Sequence, residues 1–258
     1  TQMGLPSAGA GAGGAGAHPS ISARSSARSV TLSSRLMRLG PPSTTAISRT
    51  LFLQYDRART YEEGALTEGQ ASVSANFGWT LRRLDHVLFP EKGYSVALEA
   101  GSGLTLEQTR RIYFRGRARA LSYLPLGAAD HGRLALRGEW GTVWARGDVP
   151  VPSTELFLSG GDNTVRGYAL RSLGVPQPDG TVNPGRVLGV GSVEWQRPWM
   201  VESQRSAWEQ TFFVDVGAVG DRAEALKAKV GVGTGVRYRS PVGPLQLDLA
   251  YGLATHRL

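Results

Sequence analysis

The chain contains no cysteine, only four histidines and three methionines among its 258 residues. Without cysteine there is neither a disulfide framework nor a thiolate metal site. The histidines (His18, His86, His131, His256) are scattered, with no metal-ligand spacing. No G-x-S-x-G elbow, phosphate loop or H-E-x-x-H pair occurs. These absences argue against an enzyme, a metal or any other cofactor. No apolar run approaches the ~18 residues that a transmembrane helix needs. Membrane strands remain open, because alternating residues keep mean hydropathy low, and here it is −0.20. Acids are missing before Asp56, whereas Arg24, Arg28, Arg35, Arg38 and Arg49 precede it, so that segment supplies five of the eight surplus positive charges. Downstream arginines interleave with apolar residues at a spacing of two, as on one wall of a sheet. That pattern argues against a nucleic-acid-reading face.

What is abundant is glycine, 34 residues, with six tryptophans. Residues 1–28 are Ala/Gly/Ser-rich and include AGAGAGGAGA; such a segment cannot bury enough apolar surface to pack, and disorder is expected. The Gly9-x-Gly11-x-x-Gly14 match is a low-complexity accident, since no strand precedes it. The acid-free, Arg/Ser-rich start also resembles an organellar transit peptide. Residues 29–258 read as one all-β unit. Strands are expected near 50–59, 69–83, 94–103, 110–124, 132–146, 187–199, 210–220, 229–239 and 244–254, with a weaker one over 29–39 and a single helical turn within 223–229. Several exceed the ~5–6 residues of soluble strands and suit an oblique bilayer crossing of ~9–11.

Alternation assigns the faces. Ile112, Phe114, Gly116, Ala118 and Ala120 share one side, opposite Arg115, Arg117 and Arg119. Leu245, Leu247, Leu249, Tyr251 and Leu253 oppose Gln246 and Asp248, while Val193 and Trp195 oppose Ser192, Glu194 and Gln196. An arginine facing lipid at the midplane costs about 2–4 kcal/mol, so the charged side is read as the lumen. A soluble sandwich with a solvated outer face shares the alternation. Strand length, and Trp79, Trp144 and Trp199 near strand ends, favour the membrane. Arg115, Arg117, Arg119 and Arg137 then line a positive, solvated lumen, and Arg237 and Asp248 oppose each other across the last hairpin.

Four stretches carry more specific information: GGDNTVRGY (160–168), FFVDVG (212–217), SPVGPLQLDLAYGL (240–253) and LRRLDHVLFPEKGY (81–94). In these the chain resembles the C-terminal barrel of the BamA/TamA superfamily of outer-membrane β-barrel assembly proteins, and most of all a TamA-type subunit. The resemblance implies an antiparallel transmembrane β-barrel of sixteen strands, about nine or ten of them represented here. It also implies upstream POTRA domains and a long loop, 147–186, folded into the lumen.

Carried over residue by residue, the inward-loop motif is Gly160, Gly161, Val165, Arg166, Gly167 and Tyr168. Its partners on the lumen wall are Glu194, Phe213, Asp215 and Gly217, with Arg166 meeting Asp215 and Glu194. Ser240, Pro241, Gly243 and Pro244 form a turn on the periplasmic side. The implied location is the bacterial outer membrane. The implied partners are outer-membrane lipid, unfolded β-barrel clients such as autotransporters, and an inner-membrane protein spanning the periplasm. A two-partner secretion pore, a general BamA-type subunit and a passive porin are the competing expectations.

Overall fold

The computed structural model describes residues 21–38, 44–62, 65–106, 110–127, 130–146, 149–178 and 180–254. The chain is all-β, as its alternation demands. Ten long strands form one antiparallel meander: β1 (Ile21–Arg38), β2 (Thr44–Glu62), β3 (Ala65–Leu84), β4 (Gly93–Thr105), β5 (Ile112–Pro125), β6 (Arg133–Trp144), β9 (Val187–Val201), β10 (Gln204–Gly220), β11 (Lys229–Ser240) and β12 (Gly243–Gly252). Each pairs with its neighbours in chain order, and β1 and β12 form the two edges. The insertion between β6 and β9 carries a two-residue-per-strand hairpin, β7 (Val175–Pro176) with β8 (Val182–Asn183). Between β10 and β11, Ala223–Ala225 make one 3-10 turn.

Two expectations change. Strand β1 begins at Ile21 and pairs along its whole length with β2, so part of the segment read as low-complexity is sheet. Ladder pairing to β2 outweighs the weak strand propensity of this Ser-, Arg- and Ala-rich run. The rest of the proposed leader, residues 1–20, and Leu39 lie outside the described residues. Trp79 sits inside β3, five residues before its end, and not at an interface-height terminus. Trp144 ends β6, and Trp199 stacks on Trp208 at 6.0 Å, which in turn packs on Tyr238 at 4.8 Å. Trp199, Trp208 and Tyr238 form an aromatic patch near one end of the sheet, and Trp144 lies at the other end; amphipathic indoles settle at bilayer interfaces.

The two faces separate by chemistry. Ile112, Phe114, Val193, Phe212, Val214, Leu245, Leu247 and Leu249 stand exposed on the outside. Buried on the inside are Tyr113, Ser192, Glu194, Gln196, Glu209, Thr211, Phe213 and Asp215. An apolar outside with a polar, packed inside is the inverse of a soluble sheet, and it fits a wall whose outer solvent is hydrocarbon.

Curvature follows from contacts that a flat sheet forbids. Glu91, just before β4, pairs with Arg239 on β11 at 3.2 Å and also with Arg205 on β10. Strands β4 and β11 are five steps apart in the sheet order, or about 24 Å if flat. The sheet therefore curls into a deep trough with the polar face inside. Strand alternation sends the long insertion to one rim and the turns after β3, β5, β9 and β11 to the other.

Candidate functional site: an arginine clamp in the trough

The insertion between β6 and β9 does not project away; it descends into the trough. It closes on itself through bridges Phe157–Gly185 and Ser159–Leu173. GGDNTVRGY then makes a tight reversal. The Gly161 N–H donates to the Val165 carbonyl at 3.2 Å, and the Gly160 N–H to Thr164 Oγ1 at 2.9 Å. Gly160 and Gly161 take φ of 100° and 96°, a left-handed region that side chains disfavour. Sterics alone thus account for the paired glycines.

The reversal presents Val165, Arg166 and Tyr168 to the wall formed by β9, β10, β11 and β12. Arg166 donates to Asp215 through Nε at 2.7 Å and Nη2 at 3.0 Å, a bidentate fork. Its Nη1 donates to Glu194 at 2.8 Å and to Asp248 at 2.9 Å, while its backbone N–H donates to Asp215 at 3.1 Å. The guanidinium lies 3.4 Å from the Phe213 ring centroid. Planar charge, forked donors and aromatic stacking combine here in a way that lysine cannot reproduce. Burial opposes the charge, but the bonds to Asp215 and Glu194 outweigh it and hold the Arg166 proton more tightly than usual.

The wall is built to receive this group. Ser192 Oγ donates to Asp215 at 2.6 Å, Gln196 to Glu194 at 2.6 Å, and Arg237 pairs with Glu194 at 2.7 Å. Arg137 donates to the Thr164 carbonyl of the loop at 2.9 Å. Glycines leave the necessary space: a methyl group at Gly217 would strike Val165, one at Gly231 the Arg166 carbonyl, and one at Gly233 the Phe213 ring. Gly167, with φ 85°, lets the loop backbone lie against Tyr251 and Gly252. Tyr168 donates to the Val230 carbonyl at 3.0 Å and accepts from the Ala254 N–H at 3.1 Å.

The structure thus gathers the whole inward-loop motif and Glu194, Phe213, Asp215 and Gly217 into one cluster. Ser240, Pro241, Gly243 and Pro244 form the β11–β12 turn at the opposite rim, where Ser240 Oγ donates to the Gly243 carbonyl at 2.6 Å. The third acid is Asp248, expected from the sequence to oppose Arg237 across the hairpin. Register places Arg237 opposite Gln246 and Asp248 opposite Gly235, so Asp248 turns to Arg166 and stands 3.9 Å from Arg237.

The arginines read as a solvated lining are also paired. Arg117 meets Glu139 at 2.7 Å, Arg119 meets Glu99, and Arg115 lies 3.7 Å from Glu155. In a narrow polar trough, charges on neighbouring strands are close enough to neutralise one another.

A second charge cluster, missed in the sequence, closes the turn rim. Glu209 accepts from Arg133 at 2.9 and 3.2 Å, from Arg205 at 2.7 Å and from Arg239 at 2.9 Å. The turn LDHVLFPEKG adds Glu91 to this group. That turn is held by Asp85, which accepts from the His86 and Glu91 N–H groups at 2.9 and 3.0 Å. Partial burial works against the Asp85 charge, yet these donors prevail and keep its carboxyl below the usual range.

An apolar-walled strand trough with a guanidinium-clamped inward loop defines a membrane-barrel class whose lumen is occupied by its own chain. The Omp85 superfamily domain model matches residues 24–257, and the chain belongs to that superfamily. Over 108 residues it is 38% identical to the chloroplastic outer envelope protein 80 of Arabidopsis thaliana, covering 38% of this chain and 13% of that relative. The crystal structure of BamA from Haemophilus ducreyi lacking POTRA domains 1–3 shares the fold, with a TM-score of 0.62 at 20% identity, over 82% of this chain and 50% of that one. The chain therefore spans only part of the length of both.

Proposed function

We propose that this chain is the lumen-bearing part of an outer-membrane assembly factor of the TamA type, one that helps insert β-barrel clients such as autotransporters. The observation that carries this reading is the loop folded into the trough, where Arg166 clamps it to three acids on three strands. A passive porin depends on an open water path, and such a plug works against one. On this reading a strand edge of the barrel and the surrounding lipid are the working surfaces. A client strand would add there by edge pairing, without nucleotide.

The proposed partners are lipid, unfolded barrel clients and an inner-membrane protein that spans the periplasm. A bacterial outer membrane is the location proposed. The likeness to a chloroplast envelope protein supports an organellar outer membrane as the second reading.

Full-length protein in liposomes, mixed with a urea-unfolded barrel client, tests the proposal. The expected result is faster appearance of heat-resistant, protease-protected client, lost in Arg166→Lys. Export of a soluble secretion substrate without client insertion would favour a two-partner secretion pore. Equal acceleration of every barrel client tried would favour a general BamA-type subunit. Free diffusion of small solutes with no effect on clients would leave the porin reading.

A further inference from the structure

Arg166 accounts for only one side of the loop. Eleven residues earlier the same loop carries Glu155, 4% exposed, on the opposite wall of the trough. Glu155 Oε1 accepts from the Ser74 hydroxyl of β3 at 3.1 Å and from the Tyr113 hydroxyl of β5 at 3.2 Å. Tyr113 Oη also lies within hydrogen-bonding distance of Ser72 Oγ, 3.1 Å away, and Asn76 Nδ2 donates to Ser74 Oγ at 2.9 Å. From β5, Arg115 Nε donates to the Glu155 carbonyl at 3.0 Å, and its guanidinium covers the Phe157 ring at 4.8 Å.

This side is also shaped for its occupant. A methyl group at Gly103 would strike the Tyr113 ring, at Gly101 the Asn76 amide, and at Gly141 the Phe157 ring. Three glycines on β4 and β6 thus make room for the groups that dock Glu155 and its neighbour. A polar side chain this well buried, with its partners drawn from two strands, has a specific place to occupy.

We propose that Glu155 is a separate fastening point of the inward loop, a positioning residue that docks it on the β3–β5 wall. The loop is then a strut between two walls, not a flap hinged at Arg166 alone. This goes beyond client assembly and rests only on the membrane-barrel reading, so its test uses no client.

The cysteine-free sequence suits single-cysteine labelling. In full-length protein lacking other cysteines, Val151→Cys reports the Glu155 half of the loop and Val165→Cys the Arg166 half; both parent residues are buried. Glu155→Ala should raise maleimide labelling at position 151 by at least about tenfold, as removal of a buried hydrogen-bonded group would, and leave position 165 slow. Glu155→Gln, whose amide oxygen still accepts from Ser74 and Tyr113, should restore the slow rate. If Glu155→Ala does not fold, the Ser74→Ala/Tyr113→Phe pair removes the wall-side donors and should give the same release. Parental labelling at position 151 in the variant that folds would overturn the proposal. So would equal release at both positions, or failure of Glu155→Gln to rescue.

Discussion

The two rims of the trough carry charge clusters of opposite design. At the loop rim one guanidinium, Arg166, sits among three carboxylates, those of Asp215, Glu194 and Asp248. At the turn rim one carboxylate, Glu209, sits among three guanidiniums, those of Arg133, Arg205 and Arg239. Both centres are buried, so removal of either leaves several like charges facing each other with only part of their counter-charge, Arg237 and Arg137 in the first cluster and Glu91 in the second. What differs is the origin of the central group. Arg166 comes from an insertion and fastens one body to another, whereas Glu209 comes from a strand and staples strands that are already paired, together with the β3–β4 turn. The same electrostatics therefore serves docking at one rim and wall rigidity at the other.

That contrast can be broken by substitution. The largest effect is expected for Arg166→Lys, which retains charge but loses the fork to Asp215, the simultaneous reach to Glu194 and Asp248, and the Phe213 stack. Breaking a buried pair costs about 3–5 kcal/mol, read as loss of heat-resistant mobility together with rapid proteolysis of the loop. Glu209→Gln should lower the unfolding temperature comparably but leave the loop protected while the barrel is folded. Loop release by Glu209→Gln would erase the functional difference between the rims.

A smaller change is expected for Tyr168→Phe, which removes the hydroxyl between the Val230 carbonyl and the Ala254 N–H. The loss should be about 1 kcal/mol, the net worth of one such bond, and detectable as faster amide exchange at Ala254. Unchanged exchange there would mean that packing, not the hydroxyl, anchors Tyr168.

The smallest effect concerns pH. Burial, as the largest influence, and the Asp56 charge on β2 raise the Glu155 carboxyl above its ordinary value of 4.5, against the pull of Arg115 and the Ser74 and Tyr113 hydroxyls. Glu99 on β4 also faces Arg115, at 3.9 Å. The docked state thus binds this proton more tightly than the released state. The Glu155 contribution to docking is weakest above its raised pKa, strengthens as pH falls through it, and levels off below 4.5. Labelling at position 151, divided at each pH by that of an exposed cysteine to remove the thiolate's own titration, should slow over that window, and Glu155→Gln should abolish this normalised change.

The two clusters were not equally legible in the sequence. Period-two alternation located the long strands, because buried and exposed residues must change sides at every step. Arg166 stood out because a glycine-rich reversal bearing one arginine has no place in a repetitive meander; its partners Asp215 and Glu194 came from the family resemblance, with which the polar sides of their strands agreed. Glu209 offers no such mark. It is one polar residue in a regular alternation, and Arg133, Arg205 and Arg239 converge on it only because the sheet curls. The same curl brings Glu91 from the β3–β4 turn onto β10 and β11, a contact invisible to pattern. Asp248 was legible in part: it does stand beside Arg237 across the hairpin, at 3.9 Å, but the two-residue register offset brings Arg166 nearer, at 2.9 Å. Glu155 was hidden in a loop, where spacing carries no facing rule.

The most direct measurement is a double-mutant cycle between Arg166→Lys and Asp215→Asn in the full-length protein, read by equilibrium unfolding in detergent or lipid. Contact through three hydrogen bonds, two of them from the guanidinium, should give a coupling of about 2–3 kcal/mol, near the top of the range for residues in one ion-pair network. Simple additivity would mean that Arg166 and Asp215 do not meet, and that the loop is not held in the lumen by its arginine.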